Sequence, residues 1–195
     1  MLKELVIATA NEGKYKEFQY LNSVCGNLAE KLIFAPEIAN LVVEETGKTY
    51  SENAMLKARE WAVKSGFPCL ADDSGLEVEA LNGAPGLFSA RATKGDKVQW
   101  ILNQLDGIEN RKAKFVASLS ICVPEKFILI CDGICKGQIS KSPSGANGFG
   151  YDPVFIPDGF TKTFAELEPE IKNSISHRTT AFKNLLNYLP YNINA

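Results

Sequence analysis

Two strand-like segments that follow one another closely constrain the fold more than any other feature of the chain. They span residues 113–123 and 127–139, and both are rich in β-branched and other apolar residues. Such segments favour strands, and a short break that contains proline favours a turn. The sequence therefore predicts a long β-hairpin that turns near Pro124-Glu125.

Helix and strand patterns alternate along the rest of the chain. The apolar run at residues 5–8 stops at a polar turn, and apolar residues recur at helical spacing after Lys14. Thr49 and Glu52 have the spacing of a capping box, which predicts a helix that ends at Gly66. Further patterns predict strands at residues 69–71 and 76–80 and helices at residues 98–105 and 182–189. The chain is therefore expected to be a mixed α/β protein.

The length and composition exclude several classes of protein. At 195 residues, with 45% hydrophobic and 23% charged residues, the chain can bury a core as a single domain that spans residues 1–195. Its formal net charge of -2 gives no general attraction to nucleic acids or anionic membranes. No apolar segment is long enough for a signal sequence or a membrane span. We therefore expect a cytoplasmic protein with no nucleic-acid or membrane partner.

The cysteine and histidine content limits the metal ions that the chain can bind. Five cysteines are scattered mainly through apolar segments without a CxxC pair, and His177 is the only histidine. This pattern indicates reduced, buried thiols and argues against a zinc site of the usual His/Cys type. Any bound metal ion is therefore expected to have oxygen ligands.

A candidate phosphate site lies where the first predicted strand is followed by the first predicted helix. Free backbone N–H groups and the helix dipole favour an anion at such a place. The candidate residues are Thr9, Ala10, Asn11, Glu12, Gly13 and Lys14. This is not a Walker A loop, because Ala8 and Tyr15 occupy positions where that motif has Gly and Ser or Thr. The same residues also fit an ordinary turn with a solvated lysine.

Two pairs of neighbouring carboxylates form a second candidate site. Glu44-Glu45 precede a predicted helix, and Asp72-Asp73 stand at the carboxyl end of a predicted strand. Paired carboxylates repel one another unless a cation compensates them, and magnesium binds oxygen ligands together with substrate phosphates. Asn53 and Lys57, four residues apart, share one face of the helix between the two pairs and offer a further phosphate site, although Lys57 by itself also fits a surface lysine. The alternative is a solvated turn, since Asp-Ser-Gly is also common in turns.

Aromatic and basic residues in the last third of the chain form a third candidate site. In the loop at residues 148–153, two aromatic residues separated by glycine are suited to stacking on a planar base, and Asp152 offers a hydrogen-bond acceptor. Lys172 and the run Ser176-His177-Arg178 place potential cations before the last predicted helix, where a bound anion or carbonyl group would compensate them. Both patterns also fit a loop that closes over a core and an ordinary basic surface.

The order of these motifs resembles the inosine triphosphate pyrophosphatase family along the whole chain. The matching segments are, in order, Ala8-Thr9-Ala10-Asn11-Glu12-Gly13-Lys14, Glu44-Glu45-Thr46-Gly47, Glu52-Asn53-Ala54, Lys57-Ala58, Ala71-Asp72-Asp73-Ser74-Gly75-Leu76, Gly83-Ala84-Pro85-Gly86, Ser89-Ala90-Arg91, Gly148-Phe149-Gly150-Tyr151-Asp152-Pro153 and Ser176-His177-Arg178. No single motif suffices, but the ordered set is highly specific. Departures are few, and one of them is Ala10, where the family commonly has glycine.

The resemblance implies a fold, an activity and partners. The implied fold is α/β, with an elongated central mixed β-sheet flanked by helices and two lobes with an active-site cleft between them. The implied activity is hydrolysis of inosine and xanthosine triphosphates, including deoxy forms, to the monophosphate and pyrophosphate, which removes aberrant purines from the nucleotide pool. The implied cofactor is Mg²⁺, and the implied assembly is a homodimer.

The resemblance also implies a role for each candidate residue. Glu45, Asp72 and Asp73 would bind Mg²⁺, and Asp73 would also be the catalytic residue that orients or deprotonates the attacking water. Phe149 and Tyr151 would sandwich the base. The full set of implied substrate-binding residues is Thr9, Ala10, Asn11, Glu12, Gly13, Lys14, Lys57, Ser74, Phe149, Gly150, Tyr151, Asp152, Lys172, His177 and Arg178.

Two other functions stay open at this point. One is a pyrophosphatase for modified pyrimidine nucleotides on a related fold. The other is a non-catalytic module that senses nucleotides, for which the Asp72-Asp73 pair would be superfluous.

Overall fold

The computed structural model describes residues 1–189, apart from the side chain of Phe127. The strands of the sheet are Leu2–Ile7 (β1), Ala29–Phe34 (β2), Cys69–Val78 (β3), Lys112–Val123 (β4), Phe127–Ile139 (β5) and Phe155–Pro157 (β6). The α-helices of the described residues are Glu12–Val24 (α1), Tyr50–Ser65 (α2), Lys97–Gln104 (α3), Pro169–Ile175 (α4) and His177–Tyr188 (α5). Short 3-10 turns connect several of them.

The six strands form one sheet in the order β2-β1-β3-β4-β5-β6. β1 pairs in parallel with both β2 and β3, whereas β5 and β6 pair antiparallel. The predicted α/β fold with a mixed central sheet and flanking helices is confirmed. None of the helices within residues 1–189 is long and apolar enough to cross a membrane.

The described chain divides into two compact units. The first unit comprises residues 1–73, 117–133 and 178–189, and the second comprises residues 74–116 and 134–177. Strands β3, β4 and β5 each begin in one unit and end in the other. The expectations of a single domain and of a cleft between two lobes stay predictions.

The core of the first unit lies on both faces of the sheet. Side chains of a strand alternate between faces, so Leu5 and Ile7 pack with one cluster, which includes Phe18 of α1 and Phe182 of α5. Val6 and Ala8 belong to a second cluster, which is formed with Ala58 and Trp61 of α2. Because both faces of this part of β1 are buried, residues 5–8 are all apolar.

The core of the second unit is built around aromatic rings. Phe115 contacts Phe155 with ring centroids 4.6 Å apart and stacks on Phe164 at 6.0 Å. Leu76 and Tyr151 belong to the same buried cluster. The loop that carries Phe149 and Tyr151 is therefore anchored in a packed core.

Local sequence signals place α2 and the β-hairpin correctly. The Thr49 hydroxyl accepts the N–H of Glu52 at 3.1 Å, and Gly66 ends the helix in the left-handed conformation with φ 73°. β4 and β5 are joined by a tight turn in which Lys126 N–H donates to Val123 O at 3.1 Å. The predictions of this helix and of the hairpin are confirmed.

The prediction of two separate strands, at residues 69–71 and 76–80, is wrong. β3 continues without interruption from Cys69 to Val78, so Asp72, Asp73 and Ser74 lie within one strand. The Asp-Ser-Gly sequence is common in turns because its side chains form local hydrogen bonds and glycine tolerates positive φ. Here cationic side chains compensate both aspartates, and this tertiary context overrides the local preference.

Candidate active site

The first unit gathers three predicted site carboxylates and three basic side chains into one group, which we call the acidic cluster. It contains Glu45, Asp72 and Asp73 with Lys14, Lys57 and Arg178. The residues come from α1, α2, β3, the first residues of α5 and the segment before α2. Segments far apart in sequence therefore converge on the site, as the sequence predicts.

Asp72 and Asp73 point to opposite faces of β3. Leu70, two residues before Asp72, packs in the cluster with α1 and α5, and Ala71, two residues before Asp73, packs in the cluster with α2. Because side chains alternate along a strand, Asp72 meets basic groups of α1 and α5, whereas Asp73 meets groups of α2. The two adjacent carboxylates thus have different surroundings.

Asp72 is fully buried, with a side-chain exposure of 0%. Lys14 Nζ lies 2.5 Å from its Oδ2, and Arg178 Nη2 donates to the same oxygen at 3.1 Å. Burial alone would raise the pKa of Asp72, but the Arg178 guanidinium and the Lys14 ammonium together hold it well below its usual value. Asp72 therefore stays ionised and holds both cations in place.

Lys57 connects Glu45 and Asp73, the two carboxylates of the acidic cluster that face α2. Its Nζ donates to Glu45 Oε1 at 2.7 Å, to Asp73 Oδ1 at 3.0 Å and to the Asp72 carbonyl oxygen at 3.0 Å. Burial lowers the pKa of Lys57, but the Asp73 and Glu45 carboxylates more than offset it, so the pKa is raised. Glu45 and Asp73 thus converge on one cation.

The surroundings of Asp73 favour proton binding more than those of Asp72. Burial raises its pKa, the Lys57 ammonium lowers it, and the Glu45 carboxylate raises it again, with a net upward shift. A carboxylate with a raised pKa is a stronger base, provided that it is ionised when the proton is transferred. Asp73 is therefore better suited than Asp72 to accept a proton.

The N-terminus of α1 has the form expected of an anion site. Asn11 is the N-cap and its Oδ1 accepts the Lys14 N–H at 3.1 Å, while the Asn11 N–H donates to Thr9 Oγ1 at 3.1 Å. Ala10, Glu12 and Gly13 lie around this cap, in the loop and the first turn. Since the cap uses only one of the N–H groups of this turn, the helix dipole and the other N–H groups favour a phosphate here.

Glu17 belongs to the site, although the sequence did not single it out. Its carboxylate forms a short ion pair with Arg178, whose guanidinium also lies over the Phe18 ring at 6.0 Å. Arg178 is only 2% exposed and lies between the carboxylates of Glu17 and Asp72. The signal in the sequence was position: Glu17 follows Lys14 by three residues and so shares its helix face.

The second unit holds Phe149, Asp152 and Lys172, which we call the aromatic loop cluster. Asp152 Oδ2 accepts the Phe149 N–H at 2.8 Å and lies 2.7 Å from Lys172 Nζ. The Lys172 ammonium lies over the Phe149 ring, 5.1 Å from its centroid. Gly150 follows with φ 65°, a conformation that suits glycine. The contacts of Asp152 therefore fix both the loop and the lysine.

Tyr151 and His177 lie deeper in the second unit. Tyr151 is 4% exposed, its hydroxyl donates to Ser89 O at 3.2 Å, and burial raises its pKa to about 12. The buried His177 ring stacks on Phe115 at 4.8 Å. Phe149 is half-buried and Ser74 lies half-buried on β3 directly after Asp73. A sandwich of the base between Phe149 and Tyr151 stays a prediction, with Phe149 as the more accessible ring.

The donor set fits a hard divalent cation. Within residues 1–189, no group of three or more His, Cys, Asp or Glu side chains is arranged to hold one metal ion. Glu45 and Asp73 do bring two carboxylate oxygens to one cationic nitrogen. Magnesium takes only one or two protein carboxylates when substrate phosphates and water complete its ligands. These oxygen ligands therefore fit Mg²⁺ that arrives with a phosphate-bearing substrate.

Comparison with known proteins places these residues in a wider context. A profile of the Ham1 family matches residues 5–188. Proteins named dITP/XTP pyrophosphatase from a Nostoc species and from Aquifex aeolicus are 45% and 44% identical, covering 95% of this chain and 94% and 96% of theirs. The solved structures of the Ham1 protein from Staphylococcus aureus and of a HAM1 protein from Coxiella burnetii give TM-scores of 0.82 and 0.83 at 40% and 41% identity. They cover 96% and 97% of this chain and 98% of each of those chains.

Proposed function

The chain belongs to the Ham1 family, and from that premise we propose that it hydrolyses inosine and xanthosine triphosphates, including dITP, to the monophosphate and pyrophosphate. The observation that carries the proposal is the acidic cluster. There, Lys57 bridges Glu45 and Asp73 while Lys14 and Arg178 neutralise Asp72. Two lysines and one helix N-terminus suit a triphosphate, and a carboxylate that can accept a proton suits its hydrolysis.

The phosphates would bind to the basic side of the acidic cluster. Lys14, Lys57 and the N–H groups at the start of α1 supply positive charge for the triphosphate. Both ammonium groups contact carboxylates, and phosphate oxygens would replace these contacts. Arg178 would then still compensate Asp72, and the bound Mg²⁺ would compensate the two carboxylates beside Lys57. This exchange favours a polyanion over a neutral ligand.

Asp73 would act as the general base. Water attacks the α-phosphorus, and its proton passes to an Asp73 carboxylate oxygen as the bond to the pyrophosphate group breaks. Glu45, Asp72 and Asp73 are the proposed Mg²⁺ ligands, with Glu45 and Asp73 as the pair that share one cation. Bound Mg²⁺ would neutralise phosphate charge and acidify the attacking water. Lys14 and Lys57 would stabilise the charge that develops on the leaving group.

The base would be recognised by stacking and by hydrogen-bond donors. Phe149 offers a ring face for stacking, and Lys172, His177 and Arg178 are the proposed donors for the carbonyl groups of hypoxanthine and xanthine. Adenine presents an amino donor at the same position, which would leave protein donors unpaired. Each unpaired buried group costs about 1–3 kcal/mol, so two mismatches cost about 2–6 kcal/mol, which corresponds to a discrimination of roughly 30- to 10⁴-fold.

The proposal includes a homodimer in the cytoplasm that binds neither nucleic acid nor membranes. The net charge of -2 supports the last point, because it gives the protein no general attraction to a nucleic-acid backbone or to an anionic membrane. Size-exclusion chromatography with light scattering measures the assembly directly, and a monomer at all concentrations would remove the homodimer from the proposal.

A panel of triphosphates tests the proposed function. The purified protein is incubated with ITP, dITP, XTP, GTP, ATP and a methylated pyrimidine triphosphate, with Mg²⁺ and with a chelator, and pyrophosphate and orthophosphate are measured separately. We expect Mg²⁺-dependent pyrophosphate release from the inosine and xanthosine substrates, at least about 100-fold faster than from ATP. Orthophosphate as the direct product, or a preference for the pyrimidine, would contradict the proposal. Binding without turnover would favour a nucleotide sensor.

A further inference from the structure

Asn53 is a buried amide on α2 that the proposed reaction does not use. It is 1% exposed, and each end of its side chain makes a hydrogen bond. Its Nδ2 donates to Asp73 Oδ2 at 3.2 Å, and its Oδ1 accepts the Gly47 N–H at 2.8 Å. A single side chain therefore connects strand β3 with the segment that carries Glu45.

The contact between Gly47 and α2 is set by shape as well as by hydrogen bonding. A Cβ atom on Gly47 would lie 2.6 Å from Asn53 Oδ1 and 2.6 Å from Glu52 Cβ, distances that side chains do not tolerate. The next residue, Lys48, donates its N–H to Glu52 Oε2 at 2.5 Å. The backbone that follows Glu45 is thus held against α2 by two successive N–H groups and by close packing.

The Asp73 carboxylate is oriented by the hydrogen bonds that its two oxygens accept. Lys57 holds Oδ1 and Asn53 holds Oδ2, and the two residues are one helical turn apart on α2. Lys57 also holds Glu45 Oε1. A phosphate that drew Lys57 away from Asp73 would leave the Asn53 amide as the neutral group that still orients the carboxylate.

We propose that Asn53 is a positioning residue that keeps the Asp73 carboxylate in its reactive orientation and ties it to the segment that carries Glu45. The inference rests on the proposed function, because orientation matters only if Asp73 takes part in the reaction. Misplacing a reacting group by about 1 Å costs on the order of 100-fold in rate. Substrate affinity depends mainly on the phosphate and base contacts and is largely independent of this amide.

Asn53→Asp tests the inference, because it keeps an acceptor for Gly47 and replaces the donor to Asp73 by a like charge. With ITP as substrate, we expect kcat to fall about 10- to 100-fold while KM changes less than about threefold. Asn53→Ser, a smaller and neutral change, is expected to lose kcat in the same direction. Gly47→Ala displaces the other end of the connection and is expected to lower kcat with KM preserved.

Asn22→Asp is the matched control. Asn22 also uses both ends of its amide, since it donates to Ala29 O at 3.0 Å and accepts the Leu28 N–H at 2.8 Å, but it holds a loop beside α1. We expect this variant to lose thermal stability and to keep kcat within about twofold. Titration of each variant with Mn²⁺ in the presence of a non-hydrolysable ITP analogue, followed by electron paramagnetic resonance, adds a readout that is independent of turnover. Weaker Mn²⁺ binding is expected for Asn53→Ser and Gly47→Ala, whereas Asn53→Asp, which adds a carboxylate beside Asp73, is used for the kinetic test alone.

The outcomes separate the two proposals. If the wild-type protein releases no pyrophosphate from any triphosphate, the proposed function fails. If the wild-type protein is active and both Asn53 variants keep kcat, or lose no more than Asn22→Asp does, the positioning role is overturned. If Asn53→Asp does not fold, Asn53→Ser and Gly47→Ala decide the matter, and normal kcat in both overturns the inference.

Discussion

Replacing Asp72 by asparagine is expected to lower the free energy of unfolding by about 3 kcal/mol at neutral pH. The change keeps the shape of the side chain but removes a charge that is 0% exposed and that faces Lys14 at 2.5 Å and Arg178 at 3.1 Å. Removing one partner of a buried ion pair generally costs about 3–5 kcal/mol, because the other charge stays buried without compensation.

Two features of the structure place the expected loss at the lower end of that range. Arg178 keeps its second carboxylate partner, Glu17. The Lys14 side chain is 18% exposed, so its ammonium can turn towards water when Asp72 is neutral. In a protein of this size, about 3 kcal/mol corresponds to a drop in Tm of about 6–12 °C.

Urea unfolding followed by circular dichroism measures the change, in a phosphate-free buffer with a chelator. Glu4→Gln is the control, because Glu4 forms an exposed ion pair with Lys31 at 3.0 Å, and such pairs contribute about 0–1 kcal/mol. The pKa of Asp72 is lowered in the folded state, so its contribution is complete above the ordinary value of 3.8 and is lost as the pH falls below it. A loss below about 1 kcal/mol at pH 7, or one that does not shrink in acid, would refute the reasoning.

Two further predictions concern turnover and base recognition. Asp73→Asn is expected to lower kcat by about 10²–10⁴-fold while calorimetry shows nearly unchanged nucleotide affinity, and near-normal turnover would remove Asp73 from the mechanism. Phe149→Ala is expected to raise KM for ITP about tenfold or more through the loss of about 1–3 kcal/mol of stacking, with a smaller change in kcat. Phe160→Ala, at a partly exposed ring of the same unit, is its control. Equal KM changes in the two variants would contradict the stacking role.

Much of the fold follows from local patterns in the sequence. The capping residues of α2 and the long apolar segments of β4 and β5 determine their structure nearly alone, so these elements are predictable. β2 is different: its pattern of burial is mostly partial, as expected of an edge strand, and the sequence gives little signal there. The continuous β3 was missed because its polar residues are compensated by groups remote in sequence.

The composition of the candidate site was predictable, but its internal contacts were not. Runs of charged residues beside predicted strand and helix ends pointed to Lys14, Glu45, Lys57, Asp72 and Asp73, and the structure brings all five together. The sequence did not show that Glu17 and Asn53 complete these contacts, because Glu17 is one ordinary polar residue on a helix and the sequence predicts Asn53 beside a phosphate and not beside Asp73. Such contacts can be identified only from the tertiary structure, which shows which face of each helix packs against the site.

Because β3 runs without interruption through Asp72 and Asp73, the position of each carboxylate depends on the number of residues that precede it in the strand. Loss of one residue between Cys69 and Asp72 would move Asp73 to the place beside Arg178 and Ser74 to the place beside Lys57. Gain of one residue would move Asp72 to the place beside Lys57 and leave no aspartate beside Arg178. The tolerance of this segment to insertions and deletions should therefore be far lower than its tolerance to substitutions that preserve side-chain size. The number of residues in this strand therefore determines the site as much as their identity does.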